Sequence, residues 1–68
     1  MKLSARNQFA GTITTLEPGA VNGVVKVDIG GGHIVTASIT EEAIADLGLA
    51  VGDTGTVVVK ASDVLIGK

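Results

Sequence analysis

The sequence predicts an all-β fold: an OB-like five-stranded barrel with one short helix between strands three and four, forming a single domain over residues 1–68. Three observations predict it. Short alternating runs rich in Val, Ile and Thr recur along the chain, and these residues suit a pleated, half-buried surface. Glycine-bearing turns separate the runs. Only residues 40–47 carry helical spacing, and they follow the third run, where an OB barrel places its helix.

Residues 8–16 read as strand one, with Phe9, Gly11 and Ile13 on one face and Ala10, Thr12, Thr14 and Leu16 on the other. Glu17-Pro18-Gly19 ends it as a turn, Pro18 fixing φ and Gly19 free to take positive φ. Residues 20–29 form strand two, with Val21, Gly23, Val25, Val27 and Ile29 sharing one face. Asn22-Gly23 resembles a hairpin signal, but alternation continues through it, so a bulge or a close backbone approach is expected at Gly23. Gly30-Gly31-Gly32 makes the hairpin turn, and residues 33–39 return as strand three.

Thr40 is the expected N-cap of the helix, Glu41 and Glu42 favour the positive end of its dipole, and Ile44 and Leu47 give its buried stripe. Gly48 closes it with Leu49 beyond, as in a Schellman cap. Gly52-Asp53 turns the chain into strand four, residues 54–60, and residues 63–66 read as strand five.

Sixty-eight residues leave room for one small core. Cysteine is absent, histidine occurs once and Phe9 is the only aromatic. Disulfides, thiolate metal sites and His-rich metal sites are therefore excluded. Yet hydrophobic residues make up 46% of the chain, and mean hydropathy is +0.53. So much apolar material in so small a domain points to burial against other subunits, hence a homo-oligomer. No apolar run reaches the ~20 residues of a spanning helix, and no apolar core of a signal peptide follows Met1. A net charge of −2 disfavours broad binding to nucleic acid or anionic lipid.

Polar chemistry gathers near the chain ends. Ser4-Ala5-Arg6-Asn7 supplies a hydroxyl, a guanidinium fork and a carboxamide, and Lys60-Ala61-Ser62 offers a similar set. A tetrahedral oxyanion needs convergent donors of this kind: hydroxyls, backbone N–H groups and one or two cations. The small side chains of Ala5 and Ala61 leave their backbone amides unobstructed. The plainer reading makes Arg6 and Lys60 solvated charges that guard sheet edges. Asn7 is either a ligand contact or the partner of a neighbouring turn, and His33 either a pH-dependent anion contact or an exposed residue beside a glycine turn. The scattered Asp28, Asp46, Asp53 and Asp63 have no spacing suited to Ca²⁺ or paired acid–base work. No nucleophile motif or phosphate loop is present, which argues against an enzyme.

The chain resembles the molbindin family, the Mop-type molybdate-binding domain. The residues that carry the resemblance are Ser4-Ala5-Arg6-Asn7, Gly19-Ala20-Val21-Asn22, Ile39-Thr40, Leu47-Gly48-Leu49 with Gly52, and Val59-Lys60-Ala61-Ser62, and the resemblance covers essentially residues 3–66. It implies an OB-like barrel in a stand-alone, single-domain form. Its subunits pair by exchanging strand contacts, and three dimers make a hexamer. Molybdate or tungstate is bound between subunits as the only ligand, with no organic cofactor and no direct coordination of metal by side chains.

By that resemblance Ser4, Arg6, Lys60 and Ser62 form the main site, Ala5 and Ala61 add backbone donors, and Thr40 matches a further contact. Thr40 is otherwise a cap alone, because Glu41 and Glu42 beside it repel an anion unless they point away. Gly19 to Asn22 is the candidate for a second class of site near the threefold axis. The functional expectation is passive storage and buffering of molybdate in the cytoplasm. A different class, a small OB module for single-stranded nucleic acid, lacks the aromatic stacking platform and basic groove such modules use. A purely structural oligomerisation module is the third reading, and predicts an assembly indifferent to oxyanions.

Overall fold

A computed structural model describes all residues from Met1 to Lys68. Four strands form one antiparallel sheet: β1 (Asn7–Glu17), β2 (Asn22–Gly30), β3 (His33–Thr40) and β4 (Thr54–Val59). Their order in space is β3-β2-β1-β4, so β3 and β4 form the two edges. Helix α1 (Glu41–Leu47) links these edges, and the sheet curls around the core.

Gly31 and Gly32 make the β2–β3 hairpin turn, with φ of 64° and 82°. Positive φ at both central residues is what a two-residue turn of the strand-matching hand requires, and glycine adopts it without steric cost.

Alternation predicts the faces of β2 correctly. Val25 and Val27 are buried and Ile29 is half-buried, while Val21 lies outside the strand and is exposed. It fails in β1. The register steps from Ile13 opposite Val27 to Thr15 opposite Lys26, which leaves Thr14 as an extra residue in a bulge. The bulge reverses the phase of everything after it. Leu16 therefore sits opposite Val25 and packs on the same core as Ile13, not on the opposite face. At Gly23 the pairing with Ile39 is regular. What glycine permits there is close approach: a Cβ would lie 2.7 Å from both Glu41 Oε1 and Ile44 Cδ1.

Thr40 Oγ1 accepts from the Ala43 amide at 3.0 Å, as an N-cap should. At the other end Gly48 takes φ 62°, its N–H donates to the Ala45 carbonyl at 3.0 Å, and the Leu49 N–H reaches the Ile44 carbonyl at 3.2 Å. This is the Schellman pattern. Ile44 packs on the core, but Leu47 is 68% exposed in the isolated chain.

Residues 63–66 are not a fifth strand. Ala61–Asp63 forms a short 3-10 turn, closed by Asp63 N–H to the Lys60 carbonyl at 2.9 Å and Val64 N–H to the Ala61 carbonyl at 3.3 Å. Beyond that turn the chain joins neither edge of the sheet. Leu65 and Ile66, apolar enough to read as a strand, find no ladder partner and stand 92% and 91% exposed. The barrel is therefore open within one chain. Only Ile13, Gly23, Val25 and Val27 are buried. An apolar groove of about 520 Å³ reaches the core past Met1, Ile39, Leu47, Leu49 and Val57.

Candidate functional site

The β1–β4 ladder ends with Asn7 opposite Val59. The segments just beyond it, residues 4–6 and 60–62, leave the sheet side by side. They form the walls of an open cleft of about 440 Å³ lined by Ser4, Ala5, Arg6, Lys60, Ala61 and Ser62. Two stretches at opposite ends of the sequence thus meet because the first and last strands are neighbours.

The lining is suited to an anion. It holds two hydroxyls, two cationic side chains and two alanines, and no carboxylate. None of the side-chain hydrogen bonds inside the chain uses the side chains of Ser4, Arg6, Lys60 or Ser62. The backbone N–H groups of Ala5, Arg6 and Lys60 likewise make no hydrogen bond within the chain. Charged donors held close to one another make short, strong hydrogen bonds to an oxyanion.

Asn7 borders the cleft without lining it. Its Nδ2 donates to the Val59 carbonyl at 3.1 Å, binding the end of β1 to the end of β4. Thr40 and the 19–22 segment lie elsewhere. Thr40 pairs with Asn22, and Glu17 with Val24, at the end of β1 opposite Asn7. A strand as long as β1 spans on the order of 30 Å, so the Thr40 of one chain does not reach that chain's own cleft.

The 19–22 segment is already engaged. Gly19 N–H donates to Glu41 Oε1 at 2.7 Å, and Glu41 N–H donates to the Val21 carbonyl at 2.8 Å. From the sequence Glu41 is a helix-dipole residue and a negative charge beside Thr40. Its carboxylate in fact ties the β1–β2 connection to the start of α1. Gly19 does not take positive φ. It is needed because a Cβ there would collide with the Asn22 carbonyl oxygen.

His33 is exposed at the start of β3 and does not line the cleft. Asp28 and Asp53 serve turns, accepting from Gly30 N–H at 2.9 Å and Ala50 N–H at 3.1 Å. No group of three or more His, Cys, Asp or Glu side chains gathers to hold a metal ion. No helix is long and apolar enough to cross a membrane.

These features define a small all-β domain with an open, donor-lined, cationic cleft at the end of its sheet. The chain belongs to the TOBE domain family, whose model matches residues 3–66, the span of the sequence resemblance. A probable molybdenum-pterin-binding protein of Haemophilus influenzae is 40% identical over 67 residues, covering 98% of this chain and 97% of that protein. The molybdenum transport protein ModE of Herbaspirillum seropedicae is 52% identical over 64 residues, but these make up only 24% of its length.

Solved structures agree with the fold. MopII of Clostridium pasteurianum superposes with a TM-score of 0.93 at 37% identity, covering 98% of this chain and all of that one. A molybdate-binding protein of Sporomusa ovata gives 0.93 at 35% identity, with both chains fully covered. The cytoplasmic molybdate-binding protein ModG, with molybdate bound, gives 0.90 at 46% identity over 96% of this chain and 46% of that one.

Proposed function

We propose that this protein binds molybdate, or the closely similar tungstate, without catalysing a reaction, and holds it in store in the cytoplasm. The observation that carries this reading is the single cleft lined by Ser4, Ala5, Arg6, Lys60, Ala61 and Ser62. Its donors replace the hydration shell of a tetrahedral dianion, and its two cations balance the charge. The names of the full-length relatives and of the superposing structures point to the same ligand.

Binding is completed between subunits of a homo-oligomer, a hexamer built as three dimers. Three observations support this. A cleft of about 440 Å³ is far roomier than one tetrahedral oxyanion needs. Thr40, the further contact that the resemblance implies, lies at the far end of the sheet and reaches a cleft only from another copy. The open groove and the exposed Leu47, Leu65 and Ile66 give the chain an apolar surface that a second copy covers. The 19–22 segment remains the candidate for a second class of site, at which an anion displaces the Glu41 carboxylate from Gly19 N–H.

The bare anion is favoured over a molybdenum–pterin complex. Pterin rings bind by stacking as well as hydrogen bonding, and no aromatic side chain lines the cleft. Equilibrium dialysis of the assembled protein against molybdate, with sulfate and phosphate as competitors, tests the proposal. Saturable molybdate uptake supports it; no uptake rejects it.

A further inference from the structure

Gln8 stands beside the cleft and is not used by the reading above. It lies one residue inside β1, opposite Val58, and its Nε2 donates to the Ala5 carbonyl oxygen at 2.7 Å. Residues 4–6 belong to no strand or helix, so no ladder orients their peptide planes. The Gln8 hydrogen bond does so. The Ala5–Arg6 peptide is trans. In a planar trans peptide the N–H points opposite to the carbonyl. Holding the Ala5 carbonyl toward Gln8 therefore aims the Arg6 N–H the other way. That N–H has no partner inside the chain.

On the other wall the Val59 carbonyl is already placed by the β1–β4 ladder; it also accepts from Asn7 Nδ2 at 3.1 Å, and the following N–H, that of Lys60, is without a partner. The Gln8 carboxamide thus orients a peptide that no ladder holds, while that of Asn7 reinforces one that the ladder fixes. The same bonds occupy carbonyl lone pairs that would repel an anion if they turned toward it.

We infer that Gln8 is a positioning residue for the oxyanion site: it fixes the Ala5–Arg6 peptide so that the Arg6 amide donates to the bound dianion. The inference rests on the oxyanion reading above. It has a consequence for selectivity. An amide held at a fixed place discriminates between tetrahedral dianions of different size, and in a site that takes molybdate this sets it apart from the smaller sulfate. An unrestrained peptide follows either anion and loses that preference.

Calorimetric titration of the assembled wild type and of Gln8→Met with molybdate, with sulfate as competitor, tests this. Amide NMR of the Arg6 resonance is recorded alongside. Met keeps the length of Gln and removes the donor. The expected result is an unchanged thermal midpoint, molybdate binding weakened about tenfold, and a smaller preference over sulfate. The Arg6 amide shifts on molybdate addition in the wild type and shifts less in Gln8→Met. Gln8→Lys, which restores an N–H donor, recovers the shift. Equal affinity, equal selectivity and an equal Arg6 shift in wild type and Gln8→Met overturn the inference. So does a wild-type Arg6 amide that stays unmoved at saturating molybdate. A wild type that takes up no molybdate at all rejects the functional reading, and this inference with it.

Discussion

Arg6 and Lys60 come from opposite ends of the sequence and face each other across one cleft. A hydrogen bond from a charged donor is worth about 1.5–3 kcal/mol, so Arg6→Ala and Lys60→Ala should each weaken molybdate binding by about tenfold to a hundredfold. Both residues are exposed, so thermal midpoints should stay within a few degrees of the wild type. In calorimetry the double variant should lose less than the sum of the two, because both cations act on the same anion. Additive losses would place them on different ligands. These residues were legible in the sequence because the donor types an oxyanion requires are concentrated at the chain ends. Gln8 and Glu41 were not. A carboxamide in an alternating strand looks like any solvated polar residue, and no periodicity reports that it reaches back to Ala5. The Glu41 contact with Gly19 spans 22 residues of sequence and exists only once α1 is docked.

Among the elements, α1 carries the sharpest test, because Thr40 has two candidate roles. Asp caps a helix as well as Thr does, so Thr40→Asp should keep the bond to the Ala43 amide and the helix with it. If Thr40 also contacts an anion held in another copy's cleft, as proposed, the new carboxylate should weaken molybdate binding by about tenfold or more through like-charge repulsion. Unchanged affinity with unchanged stability would leave Thr40 a cap alone. Docking of the same helix depends on Gly23. Gly23→Val would drive a side chain into Glu41 and Ile44, and should cost about 1–3 kcal/mol, read as a lower midpoint in thermal unfolding. The helix, its caps and all four strands could be read from the sequence, since each has a local chemical signature. The phase of β1 after Thr14 could not. The bulge arises from pairing with β2, and residues 8–16 alone alternate as a regular strand would. The expected fifth strand is absent from the single chain for a related reason: Val64, Leu65 and Ile66 suit a strand, but a strand also needs an edge to pair with, and after the turn at Ala61–Asp63 they pair with neither.

Taken as a whole, the isolated chain is an unfinished barrel. Four of its 68 residues are buried, while Leu65 and Ile66 project from the end and a groove of about 520 Å³ opens to the core. The composition had announced this surplus of apolar surface, but not where it lies. If subunit association covers it, the pair Leu65→Lys and Ile66→Lys should break the assembly into smaller species in sedimentation velocity, and molybdate uptake should fall with it. An intact assembly would assign the interface to other residues. What matters most is the proposed binding of molybdate by the two walls at the β1–β4 end of the assembled protein. Its most direct test is calorimetric titration of the assembled wild type with molybdate, beside an Arg6→Ala Lys60→Ala double variant of the same assembly state. Saturable binding is expected in the wild type, preferred over sulfate, with a loss in the variant of at least about tenfold and greater than in either single variant. Equal binding in the two proteins would contradict it.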